Sequence, residues 1–126
     1  MALIYRVEDL NGVGLYRCGC GLRCAEIMQY KRHPTPSEDA ELSAWWSRNY
    51  KTRAEYIFGY STLEQLKSWI YAKKWRVEIK QSGLVCSVYE TNDFIVGATQ
   101  AVFRNRTAKK IGEIDILDLD APMTVV

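Results

Sequence analysis

Apolar positions recur with helical period in the middle of the chain, where Leu63, Leu66 and Ile70 share a stripe with Trp69 beside them. Glu64, Gln65, Lys67 and Ser68 fall elsewhere on the circumference, so one face is left to pack. The turn Phe58-Gly59-Tyr60 leads into this helix. Ser61, with Glu64 three residues on, predicts a capping box in which each side chain meets the other residue's backbone amide. A second box, Thr35-Pro36-Ser37-Glu38, predicts a helix over residues 36–48 with Leu42, Trp45 and Trp46 as its stripe. Residues 73–81 predict another helical piece, with Trp75 and Ile79 on one face and Gly83 at its end, while Val77 keeps a strand open there.

Alternation with period two marks the strands. Residues 3–8 place Leu3, Tyr5 and Val7 on one face and Ile4, Arg6 and Glu8 on the other, and Asn11-Gly12 then signals a turn. Residues 54–58, 84–89, 100–104 and 111–119 predict further strands, the last with one change of face as at a bulge, and Thr91-Asn92-Asp93 breaks the run before it. Residues 15–33 carry no clear period. The order β, α, β, α, α, β, β, β predicts an α+β fold: a single small domain over residues 1–126, mostly an antiparallel sheet of four to five strands with two to three helices.

Composition narrows the function classes. With 126 residues, 48% of them hydrophobic and 25% charged, the chain can bury a core without disulfides or metals. A net charge of +2 argues against both an acidic nucleic-acid mimic and a strongly basic nucleic-acid binder. No charged leader precedes an apolar core and no apolar run reaches membrane-spanning length, so the cytoplasm is the expected compartment, with no membrane partner.

Candidate chemistry is sparse. Cys18, Cys20 and Cys24 with His33 are the weak candidates for a metal site, but structural zinc favours a Cys-x2-Cys knuckle and no second pair exists; reduced thiols in a glycine loop are the simpler expectation. Basic residues gather at 67–80 and 104–110, where a solvated face explains them more simply than phosphate contacts. Direct nucleic-acid binding is therefore not expected. The aromatic residues are numerous for so small a core. Trp45, Trp46, Tyr60 and Trp75, with Arg17, are the expected contact residues of an interaction surface.

The segments Tyr5-Arg6-Val7-Glu8-Asp9 with Gly12, Gly14 and Tyr16-Arg17, then 58–69, then Val88-Tyr89 and Gln100-Ala101-Val102-Phe103, resemble a group of small phage and prophage proteins. That resemblance spans most of the chain. It implies an accessory protein acting in the host cytoplasm, without cofactor, that binds and inhibits a host protein or ribonucleoprotein, such as a defence component in the manner of an anti-CRISPR; no catalytic residue is required. The same landmarks are similar to an ADP-ribosyltransferase order, an arginine on the first strand, a Ser-Thr turn entering a helix and a glutamate before a late strand, stations occupied here by Arg6, Ser61-Thr62 and Gln100. That likeness implies NAD as ligand, with Arg6 on its phosphates. Gln100 stands where the chemistry uses glutamate, and an amide brings no negative charge to a developing cation.

Overall fold

The alternation over residues 3–8 forms the first strand, β1 (Ala2–Glu8), in a computed structural model that describes residues 2–14, 40–70 and 72–126. Asp9 ends it. Its Oδ1 accepts hydrogen bonds from the backbone of Asn11 (2.8 Å) and Val13 (2.9 Å), and Gly12 turns the chain at a φ of 78°. Then come α1 (Ala40–Arg48), β2 (Tyr56–Gly59), α2 (Leu63–Trp69), α3 (Lys73–Gln81), β3 (Val85–Thr91), β4 (Phe94–Val96), β5 (Ala101–Arg104), β6 (Lys109–Ile114) and β7 (Thr124–Val125). The expected helix start at Pro36 and the unassigned stretch 15–33 lie outside the described residues.

The strands build two antiparallel sheets rather than one, ordered β1-β3-β6-β7 and β2-β5-β4. The fold class is the α+β expected. The additional strands are β4 and β7, three and two residues long, too short to show an alternation in sequence. The strand expected over 111–119 stops at Ile114, because Asp115 turns the chain: its Oδ1 accepts from Leu117 N–H (2.9 Å) and its carbonyl from Asp118 N–H (3.0 Å). Ile116 and Leu119 reach the core from these turns, and the ladder irregularity sits between Val88 and Tyr89 instead.

Period two sends β1 and β3 side chains to opposite faces, and each face has its own core. On one side Val7, Cys86, Val88 and Ile114 meet Leu66 and Ile70 at the end of α2 and Trp75 and Ile79 of α3. On the other, Ile4 packs with Ala101 and Phe103 of β5, Tyr89 joining them. The chain crosses between sheets at Asn92-Asp93 and returns through the 3-10 turn Asn105–Thr107. The remaining seam is made by β1 itself. Beyond the ladder with β3, Tyr5 and Tyr60 exchange backbone hydrogen bonds of 2.8 and 2.7 Å, hooking the end of β2 to the outer edge of the larger sheet.

The cap of α2 is displaced by one residue from the box read in the sequence. Thr62 is the N-cap, its Oγ1 accepting from Gln65 N–H at 3.1 Å, while Gln65 Oε1 accepts from Ser61 N–H (2.9 Å) and Ser61 O–H (3.0 Å). Two boxes overlap in Ser61-Thr62-Leu63-Glu64-Gln65, and tertiary contacts choose between them. The Gln65 amide also donates to the carbonyls of Gly97 (3.3 Å) and Ala98 (3.2 Å), which a Glu64 carboxylate has no proton to do. Thr62→Ala is expected to cost about 1 kcal/mol and Glu64→Ala close to nothing, measured by urea unfolding. The reverse order would restore the Ser61–Glu64 box.

Candidate functional site

Glu8 is a carboxylate with 2% of its surface exposed, and a buried charge requires a partner. Alternation on β1 supplies one two residues earlier: Arg6 donates from Nε to Glu8 Oε1 at 3.0 Å. Tyr89, on the adjacent strand, donates its hydroxyl to Glu8 Oε2 at 2.6 Å. The Arg6 guanidinium is further fixed by donating to the carbonyls of Phe58 (2.7 Å) and Gly12 (3.2 Å). Gly14 lies so close that a Cβ there would sit 2.8 Å from Arg6 Nη2. Arg6 thus ties β1, the turn after it and β2 into one rigid corner.

That corner borders a cavity of about 480 Å³. Arg6, Val7, Leu66 and Ile70 belong to its lining on the side of the larger sheet and α2, and Trp46, Tyr50, Arg53, Tyr56, Phe58 and Tyr60 to the side of α1 and β2. Gly59, buried between Phe58 and Tyr60, lets β2 come close to β1 so that its aromatic neighbours flank the opening. The rings hold one another. Trp46 stacks near-parallel with Phe58 (centroids 6.2 Å apart, 24° between planes), and Trp45 meets Tyr56 edge-on at 4.7 Å. Arg53 lies over the Trp46 ring, 4.9 Å from its centroid, and donates to the Trp46 carbonyl at 3.3 Å. Among the described lining residues there is no carboxylate, and no described carboxylate pairs with Arg53.

Of the residues expected from sequence, Arg6, Trp46 and Tyr60 converge on this cavity, and Trp45 supports it from behind through Tyr56. Trp75 does not. With 2% exposure it belongs to the core under α3, because its place on the apolar face of that helix buries the ring. Ser61 and Gln100 are absent from the lining, and the Ser61 hydroxyl is bound to Gln65. Arg17, Cys18, Cys20, Cys24 and His33 lie outside the described residues; among those described, no cluster of His, Cys, Asp or Glu is placed to hold a metal ion, and no helix is long and apolar enough to cross a membrane. Sequence reasoning counted Tyr50 only among the many large rings, some of them expected near the surface, and missed Arg53 and Phe58 as site residues. The available signal was the run Arg48-Asn49-Tyr50-Lys51-Thr52-Arg53, which interleaves cations with an aromatic ring.

A family model described as Bacteriophage T4 Y00F protein matches residues 1–117. The chain belongs to that family. No curated protein and no solved structure matches it. Membership in the Bacteriophage T4 Y00F protein family makes it a phage protein, and the matched span contains every described residue of the cavity and of the Arg6–Glu8–Tyr89 network.

Four tyrosines of this region give the protein a common response to alkali. Burial pushes the phenols of Tyr5, Tyr56, Tyr60 and Tyr89 upward, and hydrogen bonds to Asp93 and Glu8 add to the effect at Tyr56 and Tyr89. Each is protonated in the fold at a pH where the unfolded chain, with the ordinary value of 10.0, already ionises. Their contribution is therefore complete below pH 10.0 and lost as pH rises beyond it. The buried Cys86 thiol, likewise pushed up by burial from its ordinary 9.0 to about 12, begins the decline earlier, so the urea midpoint should start to fall above pH 9.0 and fall more steeply above 10.0, with tyrosinate absorbance appearing together with unfolding. Tyrosinate formation by all the phenols in the still-folded protein would contradict this.

Proposed function

We propose that this phage protein acts in the bacterial cytoplasm by binding a host macromolecule, a protein or ribonucleoprotein of a defence system, and disabling it stoichiometrically. The observation that carries the reading is the mouth of the cavity: Tyr50 and Phe58 are 64% and 39% exposed beside Arg53. Aromatic rings next to an arginine, backed by packed neighbours, are the composition of an interface centre. The fold gains nothing from leaving them in water. A cleft built jointly on Arg6, Ser61 and Gln100 around NAD has less support, since Arg6 alone of the three lines the cavity.

The test is capture of the partner from host lysate on immobilised protein, followed by titration of the partner's activity. Inhibition should end at one equivalent of the phage protein, and Tyr50→Ser, which removes an exposed ring without touching the core, should weaken it at least about tenfold, as loss of an interface anchor does. Turnover at sub-stoichiometric amounts, or undiminished inhibition by Tyr50→Ser, would refute the reading.

A further inference from the structure

We infer that the cavity between β1, α1 and β2 binds one nucleotide unit, a base with its phosphate. This goes beyond the partner reading: it concerns the same cavity, but names a ligand that the partner need not supply.

From Leu42 to Ala54 the chain contains no carboxylate, while Arg48, Lys51 and Arg53 supply three cations around the loop that borders the opening. Glu55, the next acid, pairs with Arg106 at 3.8 Å and is turned to that use. Inside, Arg6 is already balanced by Glu8 and contributes hydrogen-bond geometry rather than net charge. Arg53 is different. It stacks on Trp46 and spends one N–H on the Trp46 carbonyl, which leaves further donors of a guanidinium that no carboxylate among the described residues neutralises, at an apolar site. An anion with several acceptor oxygens satisfies that fork, and phosphate suits it geometrically.

The body of the ligand follows from the rest of the lining. Tyr50 and Phe58 offer exposed ring area at the mouth, and Val7, Leu66 and Ile70 line the cavity on the other side with no charge of their own. Planar, weakly polar groups are held on such rings by stacking. A volume of about 480 Å³ lies within the roughly 300–1,000 Å³ of small-molecule sites and takes one base with its sugar, not a duplex. A flat ring joined to an anion is the chemistry of a nucleotide, whether free or at the accessible end of a single strand. The near-neutral total charge argues against a long nucleic-acid track but has no bearing on a site for one unit.

The experiment is calorimetric titration of the full chain with the four ribonucleoside 5′-monophosphates, the four corresponding nucleosides, inorganic phosphate and tetrauridylate, at two salt concentrations. At least one monophosphate should bind saturably, with its own nucleoside about tenfold or more weaker, the worth of a charge-assisted hydrogen bond. Arg53→Gln should bring that monophosphate down to the nucleoside's level and remove its salt dependence; Tyr50→Ser, at an exposed position that leaves the core intact, should weaken nucleotide and nucleoside alike. A tetranucleotide binding more than about tenfold tighter than UMP assigns the unit to a single strand, and equal affinities assign it to a free nucleotide. Absence of saturable binding by any nucleotide or tetranucleotide at millimolar concentration would overturn the inference, as would inorganic phosphate matching the monophosphate, or indifference to both substitutions. A protein that inhibits its host partner through Tyr50 yet binds no nucleotide would lose this inference and keep the proposed function.

Discussion

Glu8→Ala should destabilise the protein by about 3–5 kcal/mol, a drop in urea midpoint well outside that of any surface substitution. The carboxylate is 2% exposed and receives both Arg6 Nε–H (3.0 Å) and Tyr89 O–H (2.6 Å). Removing it leaves a guanidinium, itself 9% exposed, without its counter-charge, and the half-buried Tyr89 hydroxyl without its acceptor. The carbonyls of Phe58 and Gly12 still hold Arg6 by its other nitrogens, but neutral acceptors do not balance a cation at that depth. Glu8→Gln should cost less, since an amide oxygen can accept one of the two bonds. The double variant Arg6→Met/Glu8→Leu should recover much of the loss, because two apolar groups of similar size need no partners. If Glu8→Ala and the double variant unfold at the same urea concentration, the cost lies in lost packing and the pair is not the cause. The consequence for the site is direct, because Arg6 lies on the wall of the cavity as well as in this network.

How far the chain could be read from its sequence varies with the range of the force that decides each feature. Local rules were enough for the turn at Gly12, the helix over residues 73–81 and the end of that helix at Gly83, whose φ is 85°. They failed by one residue at Ser61-Thr62, where both candidate caps satisfy the local pattern. The choice there belongs to Gly97 and Ala98, more than thirty residues away, which need the amide of Gln65. They failed also on the number of sheets, because a two-residue crossing at Asn92-Asp93 looks in sequence like a hairpin turn within one sheet.

The cavity was legible in its parts and illegible as a whole. Arg6, Trp46 and Tyr60 stand out by residue type, yet nothing local places a first-strand arginine against the Phe58 carbonyl, fifty-two positions on. Trp75 is the converse case: residue type suggested a surface ring, while the period of α3 put it inward, and period decided. Arg53 was passed over because a polar link between elements carries no period. Its meaning comes from the ring beneath it, 4.9 Å away.

Gly59→Ala should be nearly as costly as loss of Glu8, at about 3 kcal/mol, the upper end for overpacking a filled site. A Cβ at this position would run into Ile4 Cγ2 and stand 3.0 Å from the Tyr5 carbonyl and 3.3 Å from Phe103 Cε1. None of these neighbours can move far. Ile4 and Phe103 are fully buried, β-branching stiffens the first, and the Tyr5 oxygen is already accepting from Tyr60 N–H at 2.7 Å. The backbone of β2 must therefore withdraw from β1, and the Tyr5–Tyr60 pair, the hook between the two sheets, stretches first. Because Phe58 and Tyr60 flank Gly59, that same withdrawal pulls the Phe58 carbonyl off Arg6 and displaces two walls of the cavity. Stability and binding should fall together, which separates this substitution from Tyr50→Ser, where binding falls alone. In an Ile4→Ala background the added methyl meets space instead of Cγ2, so Gly59→Ala should cost distinctly less there than in the wild-type chain. Equal costs in the two backgrounds would mean that the Tyr5 backbone, not the Ile4 side chain, sets the limit on how closely β2 can approach.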